Sequence, residues 1–123
     1  MRMTIGIEQE TDKRLAQGLA YIQRTGDEAV AEGWIKDAVR TGLLSSGARE
    51  KLAAAVGEVH TPSPRVVALD LEAPTVNAAG SFAAALGVPV DVVLAAAALD
   101  GARRLTAGLD QLAAKMAARE ASR

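Results

Sequence analysis

The chain has 123 residues, 50% of them hydrophobic and 24% charged, and its 14 basic and 15 acidic side chains leave a formal net charge of −1. This suits one compact domain or two interlocked small ones, and it argues against the strongly basic footprint usual in nucleic-acid binders. With no cysteine, disulfides and thiolate metal sites are excluded, and a reducing cytoplasm is the natural compartment.

Phe82, Trp34 and Tyr21 are the only aromatic residues. A core of Ala, Val and Leu therefore has to be closed by helices that approach one another closely. Met1 to Glu10 carries Arg2, Glu8 and Glu10 without a long apolar run, unlike a signal peptide. The Ala-rich run from Val88 to Leu99 falls well short of the roughly 20 apolar residues that span a bilayer, so it is expected to be a buried helix and no membrane is implied.

In chain order, Met3, Ile5 and Ile7 alternate with Arg2, Thr4 and Gly6, the period of a strand with one buried face. Leu15, Leu19 and Ile22 then recur on one face of a helix from about Gln9 to Arg24, stopped at Gly26. A second helix, Asp27 to Leu43, gathers Ala31, Ile35, Ala38 and Gly42 on a stripe beside Val30, Trp34 and Val39. Its Lys36, Asp37 and Arg40 face outward, and Asp27 and Glu28 suit the positive end of its dipole. Gly47 to Val59 reads as a short connecting helix, and His60-Thr61-Pro62-Ser63-Pro64 as an extended linker. A second strand follows near Val66 to Leu71, then a helix near Ala73 to Leu86 and a turn at Gly87. A last helix starts around Pro89 and extends toward Ala121, with Gly101 and Gly108 as points where it could break.

Two of these segments follow one plan. Setting Ile5 and Ile7 over Leu69 and Leu71 brings Glu8 over Glu72 and Thr11 over Thr75. The expected class is mainly α with short β-ribbons, as two strand-helix-helix units: residues 1–44, a connecting helix and linker over 45–64, and a second unit with an extended helix over 65–123.

The strand, the helix carrying E-T-D-K-R-L, the glycine turn and the helix reading W-I-K-D-A-V-R make Arg2 to Leu43 resemble the ribbon-helix-helix proteins of the MetJ/Arc type. Val66 to Leu105 resembles them more loosely, through the strand, Glu72, Thr75 and Gly87. One such strand is not stable alone, so two units pair their strands antiparallel over a shared helical core. The pairing could join the two halves of one chain as a pseudo-dimer or equivalent halves of a homodimer, and the sequence leaves both open.

The resemblance implies a double-stranded DNA operator as partner, with the ribbon in the major groove. Arg2 would offer a fork to guanine, Thr4 a hydroxyl or methyl, and Gly6 only backbone. The start of the second helix, Gly26 and Asp27, would meet the phosphate backbone. The second strand shows Val66, Ala68 and Asp70 outward, and Asp70 opposes phosphate. Pairing within one chain would leave half a reading face; pairing between chains would restore a full one.

Enzyme chemistry finds no support: His60 is the sole histidine, and no P-loop, metal-ligand cluster or cofactor motif occurs. The expected function is a DNA-binding transcriptional regulator of the antitoxin or plasmid-repressor kind. The alternative is a protein-interaction or oligomerisation module on the same scaffold, with a cognate toxin, another protein or its own copies as partner.

Overall fold

Thr4 lies opposite Ala68 at the middle of a two-stranded antiparallel ribbon, in which β1 (Arg2–Ile7) pairs with β2 (Arg65–Asp70) from Arg2 against Asp70 to Ile7 against Arg65. The computed structural model describes residues 1–122. The remaining elements are α1 (Gln9–Tyr21), α2 (Glu28–Leu44), α3 (Ala48–Val56), α4 (Ala73–Leu86) and α5 (Val90–Ala121). The protein is thus mainly helical with one small antiparallel sheet, and the two strands left unassigned to partners by the sequence pair within a single chain.

Period-two geometry sets the ribbon's faces as expected. Ile5, Ile7 and Leu69 are buried and Met3 and Val67 are half-buried, while Arg2, Thr4, Val66, Ala68 and Asp70 are exposed. Gly6 departs from the pattern. It is buried, because Ser63 of the linker and Ala95 of α5 lie over it.

One hydrophobic cluster joins all parts of the chain: Ile5 and Ile7 from β1, Leu15 and Leu19 from α1, Ile35 and Val39 from α2, Leu52 from α3, and Val93 and Leu94 from α5. Ile22, expected on the buried face of the first helix, is instead 49% exposed, because α1 ends at Tyr21 and leaves it at the C-cap. On α2 the stripe Ile35, Ala38, Val39, Gly42 is buried, with Lys36, Asp37 and Arg40 exposed.

Helix α5 runs unbroken through Gly101 and Gly108. Gly101 does not break it because it is where α2 and α5 touch. A Cβ on Gly101 would overlap the Ala38 carbonyl and lie 2.8 Å from the Ala38 Cα. A Cβ on Gly42 would meet Ala97 in the same way, again 2.8 Å from Cα. The two helices therefore cross backbone to backbone through a reciprocal Ala38/Gly42 and Ala97/Gly101 contact, the close approach that an alanine-rich composition permits.

Between α4 and α5 the chain turns sharply at Gly87, whose φ of 69° lies in the left-handed region that glycine enters without steric cost. Pro89 serves as the N-cap of α5, one position before its first helical residue. Among the described residues no single helix is long and apolar enough to cross a membrane.

Candidate functional site

Arg2 and Thr4 reach solvent side by side on β1, as period two requires. Antiparallel pairing sets Asp70 across from Arg2, and the guanidinium lies 3.6 Å from the Asp70 carboxylate with both side chains about two-thirds exposed. Thr4 faces Ala68, and beside them lies the exposed Val66. The outward face of the ribbon thus carries one cation, answered by one anion.

Gly6 offers no backbone to this face, since the linker closes over that end of the ribbon. Thr4, Gly6, His60, Ser63, Val66 and Asp91 line a shallow cavity of about 300 Å³ there.

Gly26 is exposed in the turn before α2, with φ 85°. Asp27 caps α2, its carboxylate accepting the Val30 N–H at 3.2 Å. That carboxylate and Glu28 place negative charge where a phosphate would have to sit. At the start of α5, Asp91 accepts the Val92 N–H at 3.0 Å. Both helix N-termini are thus served by acidic side chains of their own.

Most arginines are likewise engaged. Arg103 of α5 is the hub: it donates to both carboxylate oxygens of Glu10 at 2.6 and 2.8 Å and to both of Glu58 at 2.8 and 2.9 Å. Arg14 donates to Glu10 at 2.9 Å and to the Thr106 hydroxyl at 2.8 Å, and pairs with Asp110 at 3.3 Å. Arg65 holds Asp12 through two bonds, at 2.9 and 2.6 Å. The hydrogen bonds from Arg103, with those from Arg14, hold the Glu10 carboxyl down at about 2 against the ordinary 4.5, even though partial burial opposes this. Glu58 is lowered by the same guanidinium.

Glu8 is the residue the sequence reading undervalued. Nothing in its sequence context marks it as a contact residue, yet it is 5% exposed, and its carboxylate receives the His60 backbone N–H at 2.6 Å. The His60 ring Nδ1 lies 2.9 Å from the same oxygen. His60 is largely solvated, as a linker residue should be, but it also pins the linker to the start of α1. Glu8, Glu10, Glu58, His60 and Arg103 border an open cleft of about 620 Å³. A buried acid just past a strand and a single histidine 52 residues later gave no signal of proximity in sequence.

Among the described residues no cluster of His, Cys, Asp or Glu is arranged to hold a metal ion. In the cleft Arg103 bridges Glu10 and Glu58, and Glu8 holds the His60 backbone and ring. No protein-family model, no curated protein and no solved structure matches the chain.

Proposed function

We propose that this chain is a protein-interaction and oligomerisation module on a ribbon-helix-helix-like scaffold, with a ribbon that does not read DNA. The observation that carries the reading is the pairing of Arg2 with Asp70 on the ribbon's outward face. Phosphate contacts supply most of the affinity in protein–DNA binding, and a face whose only cation is matched by a carboxylate has little to give. The acidic side chains in the first turns of α2 and α5 and the net charge of −1 act in the same direction.

The scaffold half of the reading draws support from a near two-fold relation between the two parts of the chain. With Ile5 equated to Leu69, Thr4 is opposite its own counterpart Ala68, where an axis through an antiparallel ribbon would fall. Thr11 and Thr75 are then counterparts and both are buried, as are Leu15 with Ala79 and Leu19 with Ala83. The second helices of the two parts, α2 and α5, cross each other at Ala38 and Gly42 against Gly101 and Ala97. These relations favour a tandem arrangement of two units, with 45–64 as the connection.

A second reading, a DNA-binding regulator, is favoured by the exposure of Arg2 and Thr4 on a two-stranded ribbon of a size that enters the major groove. A mobility-shift titration on the DNA upstream of the chain's own coding region decides between them. It is run at two salt concentrations on the native chain, Arg2→Ala and Thr4→Ala. The expected result is no retardation even at low salt. Retardation that weakens with salt and is lost in either variant would overturn the interaction reading.

A further inference from the structure

Helix α5 is buried without interruption from Val93 to Ala102, and then every residue from Gln111 to Ala121 is exposed. Its last contacts with the rest of the protein are made by Thr106 and Asp110 to Arg14 and Gln17 of α1. Beyond Asp110 the helix continues for about 16 Å at 1.5 Å per residue.

Neither that projecting part nor the turn before it is uniformly polar. Leu105, Leu109, Leu112 and Met116 recur at alternating spacings of four and three, the a/d pattern of a coiled-coil seam. Leu105, Leu112 and Met116 are 39%, 40% and 55% exposed, and Leu109 between them is half-buried. At 3.6 residues per turn the stripe centres roughly 120° around the helix from the face that Thr106 and Asp110 turn toward α1.

We infer that this stripe pairs with the same stripe of a second copy of the chain, as a short parallel two-stranded coiled coil. The inference rests on the interaction reading and names its partner. The charges beside the seam favour one direction, and Arg119, at the d position after Leu112, ends the apolar seam. With Leu109 and Met116 at a, and Leu112 at d, Lys115 falls at g and Glu120 at the following e. In a parallel pair, g of one helix faces the following e of the other, so Lys115 meets Glu120 twice, once on each side. In an antiparallel pair, g faces g and e faces e, and like charges meet. Ala113 flanks the seam and lets the two backbones come close.

About two heptads give a modest interface, so association at roughly 10–100 μM is expected. Sedimentation velocity and light scattering across a dilution series of the intact chain read this directly. The mass moves from one chain toward two with rising concentration, and the double variant Leu112→Lys, Met116→Lys stays monomeric. These positions are exposed, so at concentrations where the native chain is monomeric its circular dichroism and melting remain those of the native chain. Lys115→Glu weakens association several-fold, and adding Glu120→Lys to it restores the native value.

The chain has no cysteine, so Leu112→Cys and Met116→Cys can be cross-linked separately under mild oxidation. A parallel seam yields covalent dimers from both, whereas an antiparallel one brings at most one of these positions against itself. A monomer at the highest soluble concentration overturns the inference, as does association indifferent to Leu112 and Met116 or failure of the charge exchange to rescue. A dimer that also retards DNA through Arg2 would sink the interaction reading and leave the seam standing, so the two fail separately.

Discussion

Gly101 of α5 lies against the main chain of Ala38 in α2, with no room between them for a methyl group. The obstacle is backbone, which cannot rotate aside as a side chain can. Gly101→Ala should therefore destabilise the fold by about 1–3 kcal/mol, and Gly42→Ala by a similar amount through Ala97. Gly33 and Gly80, on α2 and α4, have no atom near the place a Cβ would take. Alanine there should stabilise by about 0.5–1 kcal/mol. Urea unfolding of the four variants checks the contrast.

Ser63 covers Gly6, and a Cβ at position 6 would overlap its hydroxyl and lie 3.0 Å from its Cβ. Here the obstacle is a side chain on a linker, which can be removed. Gly6→Ala should cost about 1–2 kcal/mol, and Ser63→Gly in the same chain should recover much of that. A double-mutant cycle measures the coupling. Additive effects would mean that the linker does not sit over the ribbon.

Glu10 titrates in the folded chain at about 2, below its ordinary 4.5. A depressed carboxyl contributes stability that is present above the unfolded value and lost as the pH falls through the folded one. The native chain should thus lose stability between about pH 4.5 and pH 2. Arg103→Met, which removes the chief cause of the shift and releases Glu58 as well, should flatten that part of the profile. Urea midpoints taken across the window read the difference.

Arg2 and Asp70 are both well exposed and 3.6 Å apart, so their pairing adds little to stability. Arg2→Ala should change the unfolding free energy by less than about 0.5 kcal/mol. Any effect of that variant on DNA retardation is then a property of the ribbon surface and not of a weakened fold.

Glu8→Ala removes the acceptor of the His60 backbone N–H. Hydrogen exchange at that amide should speed up at least several-fold, while amides in the middle of α2 keep their protection. Unchanged exchange at His60 would mean that the linker is held by other contacts.

The elements lay open in the sequence wherever period and punctuation coincided. Ile5 and Ile7 marked the buried face of β1, Ile35, Ala38 and Gly42 that of α2, and Gly87 the turn between α4 and α5. Less legible were properties set by residues distant in sequence. Gly101 looked like a potential helix break because its partner, Ala38, lies on another helix. Gly6 looked like an outward position because alternation says nothing of what folds back over a strand. The candidate site divides in the same way: the exposure of Arg2 and Thr4 followed from period two, but the ion pair with Asp70 needed the strand register. Contacts of Glu8 with His60, and of Glu10 with Arg103, join segments that no local pattern connects.

The ribbon of this protein draws both strands from one polypeptide, and that frees it from a constraint. A ribbon of two identical strands centred on Thr4 would set residue 2 opposite residue 6, and each substitution would appear twice. Here the strand bearing Arg2 can change without altering the one bearing Asp70. Selection can tune each edge alone, so the surface can become lopsided and suit a partner that has no symmetry of its own.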